Sequence, residues 1–88
     1  MANHAWTESD DLMVLYIHKF GLQDSPLTKQ QISAKIGVSV GSLSYRQGNF
    51  KAIDGIGKAT HFAKISLKVS QEYGSLSMSE LKSLAFKM

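Results

Sequence analysis

The chain has 88 residues, ten of them basic and seven acidic, for a net charge of +3, and it has no cysteine. That length gives one domain with a modest core, and the lack of cysteine excludes disulfide frameworks and thiolate metal sites. Met1 to Asp11 is polar with one Trp, so no signal-peptide core opens the chain, and the most apolar run, Leu12 to Ile17, is far shorter than the ~20 residues of a membrane span. These features predict a soluble cytoplasmic protein with no membrane partner.

Residues 1–5 are expected to fray. Thr7 is a good N-cap for a first helix over 8–20, with Glu8, Asp10 and Asp11 at the positive end of its dipole. Leu12, Leu15, Tyr16 and Phe20 fall at helical spacing, Met13 and Ile17 broaden the stripe, and Gly21 is the stop. Trp6, just before the cap, is expected to fold back onto the same core; stacking on a base is the other use of a Trp there. Leu22 to Leu27 reads as a loop around Asp24-Ser25-Pro26.

Thr28 and Gln31 form a capping box for a second helix over 29–36, with Ile32 and Ile36 one turn apart and Gly37 ending it. Val38 is a buried turn residue, and Ser39 caps a third helix that starts at Val40 and holds Leu43, Tyr45, Arg46, Asn49 and Phe50. Its end is not fixed, because Gly48 weakens it by about 1 kcal/mol relative to Ala. Phe50 and Ile53 read as core, and Asp54 to Lys58 as a turn. A fourth helix over about 60–73 has Phe62, Ile65, Val69 and Tyr73 on one face and Lys64 and Lys68 on another. Ser77 and Glu80 box a last helix over 78–86, with Leu81, Leu84 and Ala85 apolar. No convincing period-2 segment appears, so the expected fold is all-α: one domain over 1–88, with four to five short helices around the Ile32–Arg46 pair.

Charge is uneven along the chain. Lys29 to Lys68 carries seven basic residues against Asp54 alone; the flanks carry three against six acids. A basic middle suits a polyanionic partner. Ile32, Ile36, Gly37, Val38 and Leu43 together resemble the helix-turn-helix family, with Ser33 where that family usually carries Ala. The resemblance implies that the first helix braces and the second enters the major groove of double-stranded DNA. With Leu43 inward, Ser39, Val40, Gly41, Ser44 and Tyr45 face out at the start of the third helix. Val40 can meet a thymine methyl, and Ser42 and Ser44 can donate to phosphates. Arg46 can grip guanine or a phosphate, and Asn49 can pair with adenine. Lys29 and Gln30 stand where a brace helix crosses the backbone, and Lys51 extends the surface.

Two further resemblances extend the same expectation. Asp54 to Thr60 looks like the glycine hairpin of helix-hairpin-helix modules, which implies a phosphate held by glycine amides, Lys58 adding charge and Ile53, Ile56 and Ile65 packing the hairpin. Trp6-Thr7, the Ser-rich third helix, Arg46-x-x-Asn49-Phe50, the Gly-rich loop and Glu72-Tyr73 are similar to small helical domains attached to HNH-type restriction and homing endonucleases. That likeness covers most of residues 6–73. It implies a target-binding module without its nuclease, with Arg46 and Asn49 on the binding face and Phe50 in the core.

Catalytic chemistry is not expected. His4, His18 and His61 lack metal-ligand spacing, and His18 reads as structural or solvated. Gly55 to Lys58 lacks the spacing and Ser/Thr of a Walker loop. No set supplies a nucleophile, base and orienter, so no cofactor, metal or small-molecule substrate is expected. The expected function is sequence-specific DNA binding, as a transcriptional repressor or regulator, or a domesticated nuclease module of a phage or mobile element. The alternative is a protein-interaction adaptor whose lysines only solubilise it. One such reader binds weakly, so a homodimer through the first, fourth or fifth helix is expected.

Overall fold

A computed structural model describes residues 4–56 and 61–87. It holds α1 (Glu8–Phe20), α2 (Lys29–Ile36), α3 (Val40–Ile53), α4 (Lys64–Tyr73) and α5 (Met78–Phe86), with no strand among the described residues. The fold is all-α, as the sequence predicts. None of these helices is long and apolar enough to cross a membrane.

The core is built around α1. Met13, Val14, Leu15, Tyr16 and Ile17 are all buried, so this helix is apolar on every side for more than a turn. A helix of that kind must be covered all round; α3, α4 and α5 pack against it. Tyr16 meets the edge of Phe86 from α5, with ring centroids 5.4 Å apart.

Local signals place the helix ends. Thr7 and Asp10 form a reciprocal capping box, a role the sequence reading assigns to Thr7 alone. Thr28 with Gln31 and Ser77 with Glu80 cap α2 and α5 in the expected way. Gly37 is left-handed (φ 93°), a conformation that favours glycine. Its amide and that of Val38 both donate to the Ser33 carbonyl at 2.9 Å, closing α2. Ser39 accepts from the Ser42 amide at 3.0 Å and starts α3 three residues after α2 stops. The helix then continues through Gly48 to Ile53, carried by the burial of Leu43 and Phe50 on its inner face.

Four expectations about helix bounds and packing are corrected. α4 begins at Lys64; residues 61–63 are not helical, and residue 60 lies outside the described residues. The Ala63 amide, at the cap position, donates to Asn49 Oδ1 at 2.8 Å, which holds the entry to α4 against α3. Ser66 and Val69 are the buried residues of α4, while Phe62 and Ile65 are exposed. The rotation follows from Ser66, whose hydroxyl is needed at a buried carboxylate described below. On α5, Phe86 joins Leu81 and Ala85 inside, and Leu84 is exposed. Ile53 and Val38 pack on the rim of the core rather than within it.

Candidate nucleic-acid interface

The outer surface of α3 begins from its inner one. Leu43 is fully buried against the α1 core, and Phe50 lies two turns further on the same side. Residues between them at helical spacing must also turn inward. The rest face out: Ser39, Val40, Gly41, Ser42, Ser44 and Tyr45 are all exposed, as the sequence reading places them. Tyr45 is the extreme case, 85% exposed despite its size. Neither α2 nor α3 has an acid in its first turn. Lys29 on α2 reaches across to α3, its ammonium donating to Ser44 Oγ at 2.5 Å. Gln30 is exposed beside it, and Lys51 is exposed one helical repeat beyond Ser44.

Arg46 and Asn49 border this surface, but their polar groups are turned inward and paired within the fold. Arg46 Nε donates to Asp11 Oδ1 at 2.8 Å and Nη2 to Asp11 Oδ2 at 2.7 Å, a two-pronged pair with a fully buried carboxylate. Ser66 Oγ donates to the same Oδ2 at 3.0 Å. The guanidinium also lies over the Trp6 ring, 4.7 Å from its centroid. The Arg46 side chain is only 11% exposed. A base or phosphate could recruit the pronged nitrogens only by stripping Asp11 of its counterion. The physical reason is desolvation: an anion fully out of water must be matched by a partner of good geometry. Asn49 is likewise spent inside, Nδ2 donating to the Arg46 carbonyl at 3.1 Å and Oδ1 accepting from Ala63. Both assignments to base reading are therefore withdrawn.

The residues that sequence reasoning missed are Asp11 and Ser66. A usable signal was present. Asp11 shares a helical stripe with Val14, Leu15 and His18, at spacings of three, four and seven. An acid in register with core residues needs a buried cation, and the arginine of an adjacent helix is the natural donor. Trp6 is half-buried against the core, as expected, and in addition covers that arginine.

Other charges sort in the same way. His18 Nε2 meets Asp54 Oδ2 at 2.6 Å, its side chain 8% exposed and its ring stacked on Phe50; of its two readings, the structural one holds. Lys68 pairs with Glu8 at 3.1 Å and lies near Glu72. The hydrogen bond and charge of Glu8, then the charge of Glu72, raise its pKa above the ordinary lysine value. Among the described residues, Lys29, Lys35, Lys51 and Lys64 have no carboxylate partner. Three of these lie on α2 and α3, and Lys64 opens α4; α2 and α3 carry no acid.

Of the glycine hairpin, Asp54 to Ile56 lie within the described residues, and residues 57–60 lie outside them. Gly55 takes a left-handed φ of 72°, but its amide donates to the Ala52 carbonyl and that of Ile56 to the Lys51 carbonyl, closing α3. Those two donors are not open to a phosphate. Ile56 and Ile65 are exposed and do not pack the turn. Lys58 lies outside the described residues. No group of three or more possible metal-ligating side chains occurs among the described residues.

Two shallow pockets flank Tyr45. One, of about 330 Å³, is lined by Trp6, Ser42, Tyr45, Arg46 and Asn49. The other, of about 230 Å³, is lined by Ser44, Tyr45, Gly48, Asn49 and His61. Comparison of the chain with protein-family models, with curated proteins and with solved structures finds no match.

Proposed function

We propose that this protein binds double-stranded DNA, laying the first two turns of α3 in the major groove while the start of α2 meets the sugar-phosphate backbone. The observation that carries this reading is the outer face from Ser39 to Tyr45. It is exposed, free of acids, made of small residues around one projecting Tyr, and held rigid by Leu43 and the Ser39 cap. Small side chains let a helix approach base edges closely, and Val40 offers a methyl contact to thymine. The amides at the start of α2 and the Lys29 ammonium supply the phosphate contacts that fix register. The helix-turn-helix spacing of Ile32, Ile36, Gly37 and Leu43 supports the same docking.

Base selectivity then rests on Val40, Ser44 and Tyr45, with Arg46 and Asn49 setting the angle of α3 from behind. A module of this kind serves to place a regulator, or a nuclease from which it was separated, on its target. Its single reading helix suits use as a homodimer, with Leu84 on α5 or Phe62 and Ile65 near α4 as apolar contact points.

A salt titration tests the proposal. Affinity for a duplex pool falls linearly with salt on a logarithmic plot, with a slope near −0.9 for each phosphate neutralised. With Lys29, Lys51 and a third lysine engaged, the slope is expected to be about −2 to −3. A flat salt response, or no duplex binding at low salt, favours a protein-interaction adaptor instead.

A further inference from the structure

The pocket between Trp6 and Tyr45 has a chemistry different from the rest of the basic surface. Its walls are the rings of Trp6 and Tyr45 and the hydroxyl of Ser42, closed at the back by Arg46 and Asn49, whose polar groups are paired within the fold. No carboxylate lines it, since Asp11 is sealed behind Arg46. The positive charge of Arg46 is matched by Asp11, and no lysine reaches the lining. Such a pocket has little net charge to offer a phosphate. It offers π surface, and donors from Ser42 and Tyr45 suited to a neutral planar group rich in acceptors. Its volume of about 330 Å³ is enough for one such group. Tyr45 forms a wall of both pockets, so its ring stands as a partition with space on either side.

From these features we infer that the Trp6–Tyr45 pocket takes a single unpaired nucleobase, one displaced from the duplex beside α3 or present in a bulge. The base stacks against Tyr45, and the Ser42 hydroxyl edges it. The Tyr45 ring meets the cost of unstacking, because base–aromatic stacking tolerates any base. The rigid inner wall matters too. The Arg46 guanidinium, paired with Asp11, packs over one face of Trp6, and a wall already packed loses less side-chain freedom on binding. The inference rests on the duplex reading proposed above and names what the protein recognises beyond regular helix.

Trp6 is the only tryptophan in the chain, so its emission reports this pocket alone. The full chain is titrated with a labelled duplex and with the same duplex carrying one bulged thymine or adenine. Label anisotropy and Trp6 fluorescence are followed together. The expected result is binding to the bulged duplex at least about fivefold tighter, the scale of one base–aromatic stack, with Trp6 emission changing only for the bulged form. Tyr45→Ala brings the affinity ratio close to one, and Tyr45→Phe restores it. Binding of both duplexes with equal affinity and a silent Trp6 overturns the pocket while leaving the duplex reading intact. Absence of anisotropy change with either duplex overturns both.

Discussion

Two polar regions lie within one turn of each other on α3 and behave in opposite ways. On the inner side, Arg46 and Ser66 both donate to the Asp11 carboxylate, which is fully buried. On the outer side, Ser39 to Tyr45 faces solvent, with hydroxyls bonded only locally or across to Lys29. The inner residues have the more eloquent side chains, since arginine and asparagine are the usual readers of guanine and adenine. Yet they are spent on the fold. What separates a site from a scaffold here is whether the polar group already has a partner, and residue type alone does not report that.

The largest effect expected from breaking this contrast is at the inner cluster. Arg46→Ala leaves the Asp11 carboxylate buried and unmatched, and should destabilise the fold by roughly 3–5 kcal/mol, measured by urea unfolding. That is a large share of the about 5–15 kcal/mol that holds a domain folded, so a lowered midpoint reads it. Arg46→Lys should recover only part of the loss, because the two-pronged geometry needs the guanidinium. A variant as stable as the parent would return Arg46 to the reading surface.

Asn49→Ala comes next. It frees the Ala63 amide and loosens the entry to α4, at an expected cost of about 1–2 kcal/mol. Its duplex affinity should follow its folded fraction, and a selective loss for sites containing adenine would contradict the structural assignment. On the outer side the expectations invert. Tyr45→Ala should leave the unfolding midpoint within about 0.5 kcal/mol of the parent, as an exposed position allows, while weakening DNA binding. Lys29→Ala and Lys51→Ala should each make the salt slope shallower by about one, without changing base preference. The smallest effect is at Gly48, where an added Cβ meets nothing within 4 Å. Gly48→Ala should stabilise α3 by up to about 1 kcal/mol, seen as a raised thermal midpoint.

The fold was largely legible because its signals are local. Thr7, Asp10, Gly21, Thr28, Gln31, Gly37, Ser77 and Glu80 act within four residues of themselves, and bounds of α1, α2 and α5 follow from them. The rotation of α4 was not, because it depends on Ser66 meeting Asp11, 55 residues away. Periodicity favoured Phe62 and Ile65, and one buried hydrogen bond outweighed them. At the candidate site, Leu43 was enough to predict which residues of α3 face outward. Arg46 and Asn49 were misread because their partners, Asp11 and the Ala63 amide, come from other elements. The Asp11 stripe with Val14 and Leu15 carried the only warning.

The central claim is that the outer face of α3, with the start of α2, is where DNA lies. Amide chemical-shift mapping by NMR tests it residue by residue. As duplex is added at low salt, the account predicts the largest shifts at Lys29 to Gln31 and Ser39 to Tyr45, with Leu81 to Phe86 of α5 unmoved. Shifts concentrated on α5, or none along Ser39 to Tyr45 while the duplex is bound, would contradict it.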